Sequence, residues 1–348
     1  MKTLITGAAG FIGYHVAERL LAEGRQVLGV DNLNSYYDPG LKRARLARLA
    51  RHPEFRFAQL DIAERAAMET LFARETFGTV VHLAAQAGVR YSIENPHAYV
   101  EANLTGFLHV LEGCRRGRAR HLIYASSSSV YGGNTKMPFT VSDPVDSPVS
   151  LYAATKRANE LMAHCYSHLY DVPATGLRFF TVYGPWGRPD MAPFRFAAAI
   201  LTGQAIEVYN YGRMWRDFTY IDDVAEGVVR MAAQEPAGCR LFNVGHGEPV
   251  ALMDFIAELE GALGRRARKR FLPLQPGDTV ATHADVEDFW RAAGFRPSTP
   301  VASGIERFAR WYQEYFGEAN HEHGNHTHDN RGGARRNAYR EPGVFRAS

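Results

Sequence analysis

Residues 7–13 are Gly-Ala-Ala-Gly-Phe-Ile-Gly, and they join a short apolar run at residues 4–6 to a stretch with helical periodicity. The short run is typical of a buried strand. Apolar residues then recur every three or four positions from residue 12 to residue 20, and Gly24 supplies a stop signal. The sequence therefore predicts a strand, a glycine-rich turn and a helix as the opening unit of the fold.

The three glycines of this turn have the spacing of a dinucleotide-binding loop. Gly7 permits the tight turn, Gly10 lets the backbone approach a diphosphate, and Gly13 lets the helix pack closely on the strand. Backbone N–H groups at the start of the helix would then face the negative charge. Glycine spacing alone is a weak signal, but a strand before it and a helix after it favour a bound dinucleotide over a plain turn.

The alternation of strand and helix continues through the first 180 residues. Further apolar runs rich in Val, Ile and Leu lie at residues 27–30, 80–83, 122–125 and 174–180. Near-continuous apolar strands that alternate with helices predict a parallel sheet covered on both faces. The expected fold class is α/β, with a Rossmann-type doubly wound sheet.

The alternation fades after about residue 180, where proline, glycine and aromatic residues become dense. We expect a dinucleotide-binding domain formed by residues 1–180 and about 217–245. Within the second of these segments, residues 217–231 are typical of a strand and a helix that return to the sheet. A smaller, mixed α/β domain for the substrate would be formed by residues about 181–216 and 246–316.

The C-terminal part of the chain changes in composition after an amphipathic helix expected at residues 302–316. Residues 317–348 contain four histidines and several arginines among Asn, Gly and Glu. A His-rich tract can bind metal. The scarcity of apolar residues instead favours a disordered, solvated tail, and no metal site is predicted.

A basic run at residues 42–51 also has a structural explanation. Leu41, Leu46 and Leu49 recur at helical spacing. We expect a helix that buries these leucines and leaves its arginines in water.

The whole chain has the composition of a globular protein: 348 residues, of which 46% are hydrophobic and 22% charged. That composition excludes a disordered chain, a collagen-like chain and a coiled coil. The 40 basic and 37 acidic side chains leave a formal charge of +3, which argues against nucleic acid as the main partner. No run of about 18 apolar residues is present, so neither a transmembrane helix nor a membrane partner is expected.

The cysteines indicate the compartment. Cys114, Cys165 and Cys239 are far apart and odd in number, so they cannot form a disulfide framework. A reducing compartment, the cytoplasm, is therefore expected. We expect the first strand to begin at Lys2, which would leave no room for a signal peptide before the fold.

Polar side chains follow the predicted strands at the sheet edge where open parallel sheets bind ligands. Asp31 ends the second strand, where a carboxylate accepts hydrogen bonds from an adenosine ribose and repels a 2′-phosphate. This position favours NAD over NADP. Asp61, at the end of the third strand, could reach the adenine edge, and the small residues within 83–86 would let the chain pass close to the cofactor.

Tyr152 and Lys156 lie four residues apart and share one face of a predicted helix. A cation beside a phenol stabilises the phenolate, and lowering a tyrosine pKa from about 10 to about 7 takes roughly 4 kcal/mol. We expect Lys156 and a positively charged nicotinamide to supply it. Ser127 ends the fifth strand, at the ligand-binding edge, within a run of four serines whose hydroxyls can bind a substrate. The spacing by itself is equally compatible with an ordinary exposed Tyr–Lys pair on a helix, and this stays the alternative.

Together these features resemble an extended short-chain dehydrogenase/reductase, over residues 1–316. Within that superfamily the chain is most similar to the UDP-glucuronate 4-epimerases. The segments that carry this similarity are 32–39 (Asn-Leu-Asn-Ser-Tyr-Tyr-Asp-Pro), 86–92 (Gln-Ala-Gly-Val-Arg-Tyr-Ser), 184–191 (Gly-Pro-Trp-Gly-Arg-Pro-Asp-Met) and 211–219 (Tyr-Gly-Arg-Met-Trp-Arg-Asp-Phe-Thr).

The resemblance implies epimerisation at C4 of a UDP-sugar, UDP-glucuronate to UDP-galacturonate, through a transient 4-keto sugar and with a tightly bound NAD that each turnover regenerates. Tyr152 would remove the proton of the 4-hydroxyl, Ser127 would hydrogen-bond the reacting oxygen, and Lys156 would hold the nicotinamide ribose and bias Tyr152. A homodimer is also implied, with helices at residues 95–113 and 152–166 paired between subunits.

The resemblance assigns the remaining site residues. The cofactor-binding residues that it implies are Gly7, Gly10, Phe11, Ile12, Gly13, Asp31, Asn32, Asp61, Ile62, Leu83, Ala84, Ala85, Gln86, Asn103, Tyr152, Lys156 and Phe180. The substrate-binding residues are Arg90, Ser127, Ser128, Ser129, Tyr152, Thr181, Arg188, Val208, Tyr209, Arg216, Gln275 and Asp278. Arg216 is expected at the diphosphate and Val208–Tyr209 near the uracil. Arg188 and Arg90 are candidates for the substrate carboxylate, which favours charge-assisted donors.

Related enzymes with other activities differ from this chain at single sequence positions. Related 4,6-dehydratases place an Asp-Glu pair where this chain has Ser128 and Ser129, which cannot act as that acid and base near neutral pH. Decarboxylating relatives usually carry glutamate at position 129. UDP-galactose 4-epimerases usually have Asn and Arg where this chain has Thr181 and Gln275. Another UDP-sugar 4-epimerase stays an alternative, and a non-catalytic NAD-binding sensor is a second one, although such sensors typically lose the Tyr–Lys pair.

Overall fold

A seven-stranded, fully parallel sheet lies at the centre of the computed structural model, which describes residues 2–275 and 277–322. The strands of the chain are β1 (Thr3–Thr6), β2 (Val27–Asp31), β3 (Phe55–Gln59), β4 (Thr79–His82), β5 (His121–Ser127), β6 (Ala174–Phe179), β7 (Thr181–Tyr183), β8 (Ala205–Val208), β9 (Trp215–Tyr220), β10 (Cys239–Val244), β11 (Pro249–Ala251) and β12 (Arg268–Phe271). The central sheet has the order β10-β6-β5-β4-β1-β2-β3. The predicted doubly wound parallel sheet is confirmed.

Helices cover both faces of this sheet. They are α1 (Phe11–Ala22), α2 (Pro39–Leu49), α3 (Arg65–Arg74), α4 (Tyr91–Glu94), α5 (Pro96–Tyr99), α6 (Gly106–Arg116), α7 (Leu151–Tyr170), α8 (Ala192–Thr202), α9 (Ile221–Ala233), α10 (Leu252–Leu263), α11 (Glu287–Ala293) and α12 (Val301–Glu322). A π-helical turn at Val100–Thr105 and 3₁₀ turns at Ser128–Tyr131 and Tyr209–Gly212 complete the set. Helices α1, α2 and α9 pack into one hydrophobic core, and α3, α6 and α7 pack into another on the opposite face.

The order of the strands places the site. From β1 the chain builds outward to β2 and β3, and it then returns to the other side of β1 to place β4, β5 and β6. The loops after β1 and β4 therefore diverge, and such a switch point is where doubly wound sheets bind ligands. Thr6 and His82, which end these two strands, are joined by a 2.8 Å hydrogen bond between Oγ1 and Nδ1.

The remaining strands form two small sheets beside the central one. Strand β9 lies between β7 and β11, and β8 pairs with β12. The expectation that the strand near residue 217 returns to the central sheet is therefore wrong. It is helix α9 that returns, by packing on α1, and β10 then joins the edge of the sheet beside β6.

The last helix is longer than expected. Helix α12 runs to Glu322, whereas the periodicity predicts an end at Phe316 and a disordered tail from Gly317. No proline lies between Phe316 and Glu322, so the backbone hydrogen bonds of the helix can continue beyond Phe316. The rest of the predicted tail, residues 323–348, lies outside the described residues.

Helix α2 corrects the expectation for the basic run. Asp38 caps its first turn by accepting a 2.8 Å hydrogen bond from Gly40 N. Leu41 and Leu49 are buried as expected, but Lys42 and Arg45 are buried too, and Arg45 is 0% exposed. Arg45 is buried because it donates to backbone carbonyls of two loops, which are described below.

Within residues 2–275 and 277–322, no helix is both long enough and apolar enough to cross a bilayer.

Candidate active site

The glycine-rich turn between β1 and α1 is built for close backbone approach. Gly7 has φ +73°, and a Cβ on it would lie 2.7 Å from the Ala84 nitrogen. A Cβ on Gly13 would lie 2.0 Å from the Gly7 carbonyl oxygen, so only glycine fits there. Gly10, the N-cap of α1, offers no side-chain cap to the N–H groups of the first turn. Those groups are therefore available to an anion.

Asp31 ends β2 beside this turn, as predicted. Its Oδ2 accepts a 3.2 Å hydrogen bond from Ala9 N, and its Oδ1 accepts a 2.9 Å hydrogen bond from Leu33 N. Each carboxylate oxygen keeps a further lone pair. Asp31 thus fixes the turn against the end of β2 and can still accept from ribose hydroxyls.

Asp61 lies two residues beyond the end of β3 rather than on its last residue. Its Oδ2 accepts a 2.8 Å hydrogen bond from Asn32 Nδ2, and its Oδ1 accepts a 2.9 Å bond from Ala63 N. The structure therefore brings two predicted cofactor residues together. The adjacent Ile62 is buried against Gly106, so its side chain belongs to the core.

The segment after β4 is tied to the helix that carries the predicted catalytic pair. Asn103 Oδ1 accepts a 2.9 Å hydrogen bond from Gln86 N, and Asn103 Nδ2 donates to Gln86 O and Thr155 Oγ1, both at 3.0 Å. Asn103 lies in the π-helical turn, a conformation common at functional sites. The backbone oxygen of Asn103 accepts a 2.6 Å bond from Asn159 of α7.

These features fit a dinucleotide. The turn has no room for a Cβ, the start of α1 is uncapped, and Asp31 stands beside both. Gln86 adds a buried side-chain nitrogen, Nε2, that has no hydrogen-bond partner. An orphaned buried donor is costly, and a ligand amide or hydroxyl would satisfy it.

The predicted catalytic pair, Tyr152 and Lys156, lies at the start of α7, beside the end of β5. Ser150 caps the helix by accepting a 3.1 Å hydrogen bond from Ala153 N, which fixes the first turn that contains Tyr152. Burial raises the pKa of Tyr152, whereas a hydrogen bond with Ser127 and the charge of Arg188 lower it. The phenol thus lies in a buried site in which two neighbours favour its ionised form.

Lys156 follows Tyr152 by one helical turn of α7 and is fixed to the neighbouring strand. Its Nζ donates a 2.9 Å hydrogen bond to the Ala125 carbonyl of β5, and burial lowers its pKa to about 8. The cation that lowers the pKa of Tyr152 is Arg188. The sequence could not show this, because the rest of α7 and strands β6 and β7 lie between Tyr152 and Arg188.

The serine run divides between two directions because side chains alternate along a strand. Ser127 Oγ lies 3.1 Å from both Oγ and N of Ser129. Ser126 points away and donates a 2.6 Å hydrogen bond to Glu160, which forms a buried ion pair with Arg178. Ser127 and Ser129 therefore lie together at the end of β5, and Ser126 supports the strand.

Arg188 forms an ion pair with Asp190. Its Nε donates a 3.0 Å hydrogen bond to Asp190 Oδ1, and its Nη2 donates to Asp190 Oδ2. Tyr36 Oη donates to the same Oδ2 at 3.2 Å. Sequence reasoning did not single out Asp190 or Tyr36, although both lie in the segments that carry the family resemblance.

A second group of predicted substrate residues meets around Tyr209. Arg90 Nη2 lies 2.9 Å from Asp278 Oδ2, and the Arg90 guanidinium lies over the Tyr209 ring at 4.4 Å. The structure thus places Arg90 with the predicted uracil residue, whereas Arg188 makes its contacts with Asp190. Val208 is 0% exposed, so its side chain is core and only Tyr209 of that pair is accessible.

The last predicted residues lie around the loop before α11. Arg216 Nη2 donates to Thr279 O at 2.7 Å, and its Nη1 donates to Val280 O at 3.1 Å. Gln275 is partly exposed, and its Nε2 donates to Pro273 O at 3.3 Å. Phe180 is buried between β6 and β7 against Tyr131 and Phe139, and Thr181, which begins β7, is partly exposed.

Within residues 2–275 and 277–322, no three His, Cys, Asp or Glu side chains form a group that could hold a metal ion.

Known proteins are similar to this chain in sequence and in fold. Residues 3–245 match the NAD dependent epimerase/dehydratase family. Protein CapI of Staphylococcus aureus is 50% identical, over 91% of this chain and 99% of that protein. A probable UDP-glucuronate 4-epimerase of Rhizobium meliloti (strain 1021) is 47% identical, over 92% of this chain and 99% of that protein. The crystal structure of UDP-glucuronic acid 4-epimerase from Bacillus cereus with UDP-glucuronic acid and NAD has a TM-score of 0.85 at 33% identity, covering 90% of this chain and 100% of that one.

Proposed function

This chain belongs to the NAD dependent epimerase/dehydratase family, and from that premise we propose that it interconverts UDP-glucuronate and UDP-galacturonate by epimerisation at C4. The observation that carries the proposal is that Ser127, at the end of β5, and Arg188, in the loop after β7, both act on Tyr152. It joins a base for a sugar hydroxyl to a cation for a sugar carboxylate. The positions of a dehydratase's acid and base are held by Ser128 and Ser129.

NAD fits the glycine turn, and when bound it supplies a hydride acceptor and donor for C4 of the sugar. The N–H groups at the start of α1 would hold its diphosphate, and Asp31 would accept from its adenosine ribose. The crowding of a 2′-phosphate against Asp31 favours NAD over NADP. Gln86 Nε2 would donate to the bound cofactor, which removes an unsatisfied buried donor.

The chain's own part in the reaction is proton transfer. Tyr152, as phenolate, takes the proton of the 4-hydroxyl, and Ser127 donates a hydrogen bond to the same oxygen as it becomes a carbonyl. The resulting 4-keto sugar turns its other face toward the reacting atoms. Tyr152 then returns the proton to O4, which leaves the enzyme as it began.

The substrate carboxylate creates a hazard that the site has to control. A carboxylate on C5 beside a ketone at C4 is a β-keto acid, which loses carbon dioxide when the breaking bond aligns with the carbonyl π system. We assign the carboxylate to Thr181, Ser128 and Ser129, with Arg188 as its charged partner. Held in this way, the carboxylate stays out of that alignment while the ring turns.

The assay that tests the function uses the purified protein with no added NAD. UDP-glucuronate and UDP-glucose are supplied separately, and the products are identified by NMR. UDP-galacturonate should form from the first, and the second should react much more slowly. Faster conversion of UDP-glucose would favour the alternative of a neutral UDP-sugar 4-epimerase, and no conversion of either would favour an NAD-binding sensor.

Two further properties are part of this proposal. Val100, Leu108 and Leu161 leave apolar surface exposed on neighbouring helices, which favours a homodimer through that face. Cys114, Cys165 and Cys239 are all free thiols, in agreement with a reducing compartment such as the cytoplasm.

A further inference from the structure

The segment that carries Arg188, residues 184–191, is held by side chains from the first two helices of the chain. We call this segment the carboxylate loop. His15 Nε2 of α1 hydrogen-bonds the Pro185 carbonyl at 3.0 Å. Arg45 Nη2 of α2 donates to the carbonyls of Trp186 at 2.6 Å and Gly187 at 2.9 Å. The backbone just before Arg188 is therefore fixed to the dinucleotide-binding half of the molecule.

Asp190 fixes the side chain of Arg188 in the same way. A guanidinium has a rigid fork of five N–H donors, and the edge formed by Nε and Nη2 is the one that Asp190 occupies. The Nη1 edge is left for another acceptor. The Arg188–Asp190 pair is only about a quarter exposed, so this orientation is shielded from water.

Asp190 is in turn held by Tyr36, from residues 32–39. Tyr36 Oη donates to Asp190 Oδ2, and its ring lies 4.7 Å from that of Tyr91. Gly88 has φ +112°, and a Cβ there would lie 3.1 Å from Tyr36 Oη and 3.8 Å from Asp190 Oδ2. Three of the segments that carry the family resemblance thus converge on one carboxylate.

The charges favour this arrangement. Arg188 holds the pKa of Asp190 below its ordinary value against the opposing effect of burial, so the carboxylate is ionised and accepts both guanidinium bonds. An ionised Asp190 compensates the charge of Arg188 before any substrate arrives. A substrate carboxylate then meets a guanidinium whose orientation is already set and whose free edge is Nη1.

We propose that Asp190, steadied by Tyr36, is a positioning residue that aims the free edge of Arg188 at the carboxylate of the sugar. It acts through Arg188 and does not itself contact the reacting atoms. Its effect is to keep the carboxylate out of alignment with the C4 ketone, so the ketone is epimerised rather than decarboxylated. This inference rests on the proposed function.

Failure of the positioning has a defined chemical outcome. The bond between C5 and the carboxylate carbon breaks, carbon dioxide leaves, and the electron pair passes to the C4 carbonyl as an enolate. The enolate takes a proton from solvent and becomes UDP-4-keto-pentose. The fraction of this pentose among the products therefore reports how well Arg188 is aimed.

Asp190→Asn tests the inference, because it keeps the shape of the side chain and removes one good acceptor and the charge. On UDP-glucuronate, kcat should fall by about 10- to 100-fold and the pentose fraction should rise. KM should not rise, because Arg188 keeps its full charge toward the substrate. Binding of UDP-glucose, measured by calorimetry, should stay within about threefold of wild type because that sugar has no carboxylate.

Tyr36→Phe removes only one hydroxyl and guards against a folding failure of the first variant. It should change kcat and the pentose fraction in the same direction, by about 3- to 10-fold. Asp288→Asn is the matched control. Asp288 is exposed and pairs with Arg291 on helix α11, away from the carboxylate loop in the sequence. It should leave both measurements unchanged.

The outcomes separate this inference from the function on which it rests. Wild-type kcat and no extra pentose in both variants would overturn the positioning role alone. So would an equal loss of affinity for both sugars with a lowered melting temperature, which is the signature of a merely structural contact. A wild-type protein that does not epimerise UDP-glucuronate would overturn the proposed function and this inference with it.

Discussion

Opposing effects act on the phenol of Tyr152, and their balance decides whether it can serve as a base. Burial raises its pKa above the ordinary value, while Ser127 and Arg188 lower it. Lys156, which the spacing singles out, donates a hydrogen bond to the Ala125 carbonyl. The sequence pattern thus singles out Tyr152 as the candidate base but not Arg188 as a cation that lowers its pKa.

Replacing Tyr152 with Phe should keep the fold and bound NAD but lower turnover by at least about 100-fold. That factor is the lower end of what a positioned acid or base contributes. The measurements are kcat on UDP-glucuronate and the nucleotide released on denaturation. Near-normal turnover with bound NAD would remove Tyr152 from the proton transfer.

Arg188→Ala should move the acidic limb of the pH–rate profile to higher pH. Because the charge of Arg188 lowers the pKa of Tyr152, its removal raises that pKa, and the phenolate forms only at higher pH. The lost contact to the substrate should also lower kcat/KM by about 10- to 150-fold.

The profile is measured as kcat on UDP-glucuronate against pH. Arg90→Ala is the comparison, because Arg90 also carries a positive charge but makes its contacts with Asp278 and Tyr209. That variant should affect KM and leave the acidic limb in place. An unmoved limb in Arg188→Ala would show that its charge does not act on Tyr152.

Elements of the central sheet could be predicted because a parallel strand buried on both faces is a continuous apolar run. The runs at 27–30 and 122–125 lie within β2 and β5. The same local pattern could not reveal that Arg45 of α2 is buried. Its acceptors lie 36, 141 and 142 residues away, in loops whose approach only the folded chain defines.

The residues of the candidate site also differ in whether the sequence could place them. Strand ends such as Asp31 and Ser127 could be placed from sequence because all parallel strands end at one edge of the sheet. Asp190 and Tyr36 could not, since their contact spans 154 residues and joins two irregular loops. Val208 was assigned to the uracil by resemblance, yet alternation along β8 turns its side chain into the core.

Arg45→Met should destabilise the protein by about 3 kcal/mol. Arg45 donates to Ala9 O, Tyr37 Oη and two carbonyls of the carboxylate loop, and its loss leaves buried acceptors unpaired at about 1–3 kcal/mol each. The free energy of unfolding in urea measures the effect. Arg43→Met, at an exposed position of the same helix, should change it by no more than about 0.5 kcal/mol. Equal losses in the two variants would contradict a bridging role for Arg45.

On the scale of the whole molecule, the site lies where the two halves of the chain meet. The dinucleotide-binding half contributes the glycine turn, Asp31 and Tyr152, and the later half contributes the carboxylate loop and the residues around Tyr209. Arg45 bonds both halves at once, through Ala9 on one side and Gly187 on the other. A cofactor loop and a substrate loop that share one buried cation keep a fixed distance from each other.

The proposed dimer is a property of the outer surface of the same molecule. Leu161 of α7 is 52% exposed, beside Val100 and Leu108 of the neighbouring helical segment, and burial of such a face needs a partner. Leu161→Glu should therefore convert a dimer into a monomer, because two unpaired carboxylates would be buried at a twofold interface. Light scattering after size exclusion measures the mass. Ala257→Glu, the same charge at an exposed site on α10, should stay dimeric. A wild-type monomer, or a Leu161→Glu protein that remains dimeric, would rule out this face as the interface.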